Sequence, residues 1–115
     1  MGIEDLPVAR EVVLDVALAG LPVDRVEVRR IVLPPNLAPG AHVHNGPVLG
    51  SIVAGSVRFQ VADGDEVVLH AGDVFYEPAD VRIEHFDALG DGVTFIGYFP
   101  LTAGQQAELT IVEDK

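Results

Sequence analysis

No stretch of this chain holds the 3.6-residue apolar period of a helix over ten residues, whereas short runs rich in Val, Ile and Phe recur throughout. They are cut apart by Gly, Pro, Asn and Asp. Residues 11–18 (EVVLDVAL) are rich in Val and Leu, and RVEVRRIVL at 25–33 alternates charged and apolar residues as a half-buried strand should. LPPNLAPG then interrupts the chain, because proline cannot donate to a ladder. AHVH, an NGP turn and VLGSIVAG follow, and after a turn at Ala54-Gly55-Ser56 comes VRFQV. Asp63-Gly64-Asp65 leads into EVVLH, an AGD turn into VFYEP, and VRIEHF is parted from VTFIGYF by LGDG. The count is eight or nine strands. The last segment, GQQAELTIV, suits a short helix, a final strand or a partner-binding tail. Such a chain folds as an all-β sandwich, barrel or jelly roll, which hides its sheet edges.

At 115 residues, 49% of them hydrophobic, the expectation is one domain (1–115) with a real core. The absence of cysteine excludes disulfides, thiolate nucleophiles and sulfur-rich metal sites. With 18 acidic against 7 basic residues the net charge is −11, which repels phosphate backbones and anionic lipid. Arg29-Arg30, the one adjacent basic pair, is no nucleic-acid patch. Acidic residues come first in MGIEDLPVAREVV, and no apolar run approaches a membrane span. These features predict a cytoplasmic protein without nucleic-acid or membrane partners.

His42 and His44 flank Val43, and in a strand residues i and i+2 share a face. Two imidazoles projected together make half of an N/O metal site, or else two ordinary polar strand residues facing solvent. Around them the sequence resembles the cupins. The first cupin motif (Gly, five residues, H-x-H, three or four residues, Glu, six residues, Gly) runs here over about 36–55, with His42 and His44 in register and Gly55 at its end. The second (Gly-Asp, several residues, Pro-x-Gly-x-x-His) runs over about 72–87 as Gly72-Asp73, Pro78, Asp80 and Ile83, and GDVFYEP is close to small one-domain cupins. The resemblance implies a jelly-roll β-barrel. The chain departs from it at four places. The family's glutamate ligand falls on Val48 and its last histidine on Ile83, and neither residue binds metal. Asn36 and Asp80 replace motif glycines, and Asn tolerates left-handed turns.

Other donors are therefore sought. His85 is two residues past Ile83, on the same face if alternation holds. That is one pleat away, about 6–7 Å, against a Zn–N bond of about 2 Å, so it joins His42 and His44 as a third ligand only through a bulge or register shift. Its alternative is an interior hydrogen-bonded or proton-transfer histidine. Gln60 and Glu77 are the next oxygen donors, with Glu77 read as a surface residue or as a partner to a ligand's other N–H. Val48, Gln60, Tyr76 and Ile83 are the expected pocket residues, Tyr98 could add a hydroxyl, and His70 is expected at an exposed strand end. The remaining aromatic residues read as core.

Two functions compete. One is a metal-dependent enzyme holding Zn, Fe, Mn or Ni, for which the resemblance implies dioxygenase, isomerase or cyclase chemistry on a small organic molecule. The other is a metal-free sensor or carrier, since Val48 and Ile83 make the pocket more apolar. A structural module with a vestigial pocket is a third. Nucleotide-binding, zincin and G-x-S-x-G motifs are absent, and nothing places a carboxylate to complete a triad with Ser51 or Ser56. A homodimer is expected, with residues 11–18 as its pairing edge.

Overall fold

The computed structural model describes residue 2 and residues 5–112. Among these, seven antiparallel strands form one sheet that doubles over on itself: β1 (Arg25–Leu33), β2 (His42–His44), β3 (Val48–Val61), β4 (Val67–His70), β5 (Val74–Glu77), β6 (Ile83–Leu101) and β7 (Leu109–Ile111). Two of them are long because stretches separated by an expected turn are continuous. Ala54–Ser56 is a bent, bulged part of β3, and Leu89–Gly92 is the corresponding bend in β6. Gly55 and Gly92 meet at this corner with φ of 79° and 69°, and a Cβ on Gly55 would run into the Gly92 carbonyl. Glycine is what lets the two strands cross the corner together.

On one side of the corner, β6 lies between β1 and the first half of β3, with β5 beyond. On the other side the order is β4, β3, β6, β2, β7. The two layers enclose Val48, Ile52, Val57, Phe75, Ile83, Phe86, Phe95 and Phe99, all buried. Phe59, Phe75, Phe86 and Phe95 pack with ring centroids 4.7–5.9 Å apart. This is the all-β jelly-roll barrel expected from the sequence.

Two local readings change. Residues 11–18 form no ladder, and Leu14, Val16 and Leu18 are half-buried while the residues between them are exposed. Strand-like composition there is not met by a partner strand within the molecule. In β1 the faces are inverted. Val26, Val28 and Val32 point outward, 53–64% exposed, while Glu27 and Arg29 share the inner side with Ile31 and Leu33. The C-terminal segment resolves as a strand, β7, paired with β2.

Candidate metal centre

The site begins with the pleat of β2. His42 and His44 point inward, 3% and 9% exposed, with Val43 between them on the other side. Their rings stand edge to face with centroids 4.9 Å apart. His42 Nδ1 lies 3.0 Å from the Gly40 carbonyl. A carbonyl only accepts, so Nδ1 carries the proton and Nε2 offers its lone pair to the interior.

Glu77 closes the group. In β5 alternation turns Phe75 and Glu77 inward and leaves Val74 and Tyr76 outside. The next turn, Pro78-Ala79-Asp80, is tied to β2 by the Asp80 amide donating to the His44 carbonyl at 2.9 Å. Asp80 adopts φ 60° and Asn36 φ 64°, the left-handed region, at both positions where the resemblance places glycine. Glu77 is 3% exposed. His44 Nε2 donates to its Oε1 at 2.8 Å, and His42 Nε2 is 3.9 Å from its Oε2. Oε2 is the one buried side-chain polar atom without a hydrogen-bond partner among the described residues. An unpaired carboxylate oxygen is costly to bury and is satisfied by a cation. One donor atom from each of the three residues lies within 4.8 Å of the others. Two imidazoles and one carboxylate is the set used by catalytic zinc and non-haem iron centres that keep open positions. The residues present fit a divalent metal.

The group faces a cavity of about 170 Å³. Ile31, Leu33, Val48, Phe86, Phe95 and Phe99 make its walls, and Ala107, Glu108 and Leu109 close one side. Arg29 stands at the mouth, its Cζ 4.9 Å from the Phe99 ring centroid. Val48, where the resemblance puts a glutamate ligand, is wall.

The other sequence candidates lie elsewhere. His85 is on the far side of β6, because Gln60 pairs with His85 and Val61 with Ile83, one residue of β3 against two of β6. This bulge reverses the alternation, so Ile83 and Phe86 both point inward and His85 turns out. A register shift does occur here, in the sense that removes the third histidine. His85 Nδ1 is bonded to Asp87 Oδ2 at 2.9 Å and lies with Gln60, Arg82 and Glu84 in a separate open cleft. Gln60 itself donates to the Gly64 carbonyl. Ile83 is fully buried opposite His42 and Tyr76 is on the outer face, so neither lines the cavity. His70 is exposed, as expected. Glu77 was a ligand candidate only in outline. A signal that could have found it is the two-residue spacing from Phe75, which shares its face in β5.

Comparison with known proteins agrees with this architecture. The family profile described as a cupin domain matches residues 29–93, more than half of the chain. A search of curated proteins returns no match. Among solved structures, a conserved protein with a double-stranded β-helix domain from Klebsiella pneumoniae aligns at TM-score 0.60 and 18% identity, covering 83% of this chain and 81% of that one. A cupin-like protein from Thermotoga maritima aligns at 0.61 and 25%, covering 72% and 62%. Bacillus subtilis oxalate decarboxylase, whose Mn(II) centres have been characterised, aligns at 0.56 and 21%, covering 70% of this chain and 22% of that one. With its motifs, its barrel and its family profile in agreement, the chain belongs to the cupin family.

Proposed function

We propose that the protein binds a divalent transition metal through His42, His44 and Glu77 and uses the open side of that metal to bind or transform a small organic molecule in the apolar cavity. The observation that carries this reading is the buried Oε2 of Glu77, without a hydrogen-bond partner and 3.9 Å from the inward His42 Nε2. Zn, Fe, Mn and Ni all suit the donor set. When bound, the metal supplies Lewis acidity or an oxygen-binding centre. The residues hold it, and the aromatic walls exclude water. Elemental analysis of protein purified without an affinity tag, beside a His42→Ala/His44→Ala variant, tests the reading. Near-stoichiometric metal in the wild type and none in the variant supports it. No metal in either, even after incubation with Zn²⁺, Fe²⁺, Mn²⁺ and Ni²⁺, refutes it.

One observation favours a second reading, a metal-free binder. The His44–Glu77 bond satisfies one carboxylate oxygen without any ion. A cytoplasmic setting, expected from the sequence, belongs to the same proposal, as does a homodimer. For the dimer the support is the outward row Val26, Val28 and Val32 and residues 11–18, which join no ladder in this chain and which a second copy would cover. Light scattering that finds a monomer at micromolar concentration would overturn the dimer.

A further inference from the structure

The charged and polar side chains that line the cavity are the His42–His44–Glu77 group, Arg29 and Glu108. The His42–His44–Glu77 group is at the inner end, and Arg29 is the one lysine or arginine among the lining residues. Its placement is specific. Arg29 pairs in register with Gly97 across β1 and β6, and a Cβ at Gly97 would come within 2.9 Å of the Phe99 ring. The missing side chain lets Phe99 lie beneath the guanidinium. Phe99 in turn sits 6.4 Å from the His44 ring, so Arg29, Phe99 and His44 form a file from mouth to floor. Glu27 accepts a hydrogen bond from Arg29 Nη2 at 2.6 Å. That bond uses one of five guanidinium donors and aims the planar fork.

We infer that Arg29 selects the charge of the ligand: the cavity takes a small organic monoanion with a flat apolar body, its carboxylate on Arg29 and its other end toward the three-residue group. The inference rests on the proposed function, since it names the substrate class of the same site. Four features converge on it. An apolar cavity of about 150 Å³ holds benzene, so this one takes a ligand of about that size. The walls are aromatic and aliphatic. A guanidinium fork matches a carboxylate in a bidentate pair. In a chain of net charge −11, an anion is repelled unless a fixed cation stands at the entrance. Glu108 shares the lining, which disfavours a second negative charge on the ligand.

The test is a calorimetric titration of the full chain with benzoate and with its neutral isostere benzamide. It is done with Zn²⁺ present and again in EDTA, on wild type, Arg29→Gln and Glu27→Gln. The wild type should favour benzoate by about tenfold, about 1.4 kcal/mol. Arg29→Gln should bring the two ligands within about twofold, and Glu27→Gln, which frees the fork, should keep or raise the preference. A merely structural role for Arg29 would weaken both ligands equally and leave the ratio intact. Because the side chain is 44% exposed, the variant is expected to melt with the wild type. Benzamide binding as tightly as benzoate, a preference that survives Arg29→Gln, or no benzoate binding at millimolar concentration overturns the inference. If elemental analysis finds no metal, the metal reading fails separately, and the ratio measured in EDTA still decides the role of Arg29.

Discussion

Glu77→Gln should change the sign of its effect on stability when metal is added. In the metal-free protein a buried carboxylate keeps one oxygen without a partner. Leaving a buried polar atom unsatisfied costs about 1–3 kcal/mol. The amide retains the acceptor for His44 and places a donor where Oε2 stood, 3.9 Å from the His42 nitrogen that offers a lone pair. A small side-chain rotation completes that bond. The variant should therefore be more stable than wild type in EDTA by about 1–2 kcal/mol, or about 4–8 °C in Tm for a chain of this length. Metal reverses the order. Wild type at a metal concentration of about 100 times Kd gains about 2.7 kcal/mol, about 10 °C, whereas the variant has lost its only carboxylate ligand and gains little. Thermal melts followed by circular dichroism, with EDTA and with each of Zn²⁺, Mn²⁺ and Ni²⁺, read both halves. A variant less stable than wild type in EDTA would show that the orphan oxygen carries no cost. Equal gains from metal in both proteins would remove Glu77 from the ligand set.

His85→Ala should leave metal content unchanged by elemental analysis, because the β6 bulge puts that ring in the outer cleft. Ile83→Ala should destabilise the fold by about 2–5 kcal/mol in urea unfolding, as the removal of a large aliphatic side chain from a filled core does; its side chain is fully buried opposite His42. The Ser56 hydroxyl, bonded to Asp91 at 2.6 Å, holds that carboxyl below its ordinary 3.8, with the Asp91 backbone adding to the effect. A depressed carboxyl stabilises the fold above its unfolded value and ceases to as it protonates. Ser56→Ala should thus melt below wild type at neutral pH, and the gap should close as pH falls below 3.8.

The all-β class and the inward histidine pair were legible because both depend on period-two alternation over three to nine residues, which the chain prints directly. Asn36 and Asp80 read as departures from motif glycines, with left-handed tolerance expected only of Asn36, and the backbone is left-handed at both. What escaped notice depended on events between strands. One extra residue in β6 opposite Gln60 and Val61 reversed every side chain beyond it, and so moved His85 out of the site. Glycine-rich stretches at 54–56 and 89–92 looked like hairpin turns, yet they are corners where two paired strands bend together. Glu27 and Arg29 lie on the same side of β1 as Ile31 and Leu33 yet keep their charged ends in water, so alternation alone assigned the apolar face to the wrong set of residues. Glu77 reached His42 and His44 through β5 pairing with β3 and through the tie between the 78–80 turn and β2, a contact 36 residues apart in sequence.

Asn45 gives the cavity an uneven mechanical character. Its amide group donates to the Gln106 carbonyl at 2.8 Å and accepts from the Glu108 amide at 2.9 Å, while Gln105 donates back to the Asn45 carbonyl at 3.0 Å. These bonds pin the segment from 105 to 108 beside His42 and His44, and β7 continues it with three exposed residues on a single neighbouring strand. The histidine strand has paired neighbours on both sides and this wall on one side only, so the amides of the wall should exchange faster than those of the floor. Hydrogen exchange would register them as separate foldons. Loosening of the asparagine clasp would then enlarge the cavity beside His42 and His44 without displacing Glu77 or the mouth at Arg29.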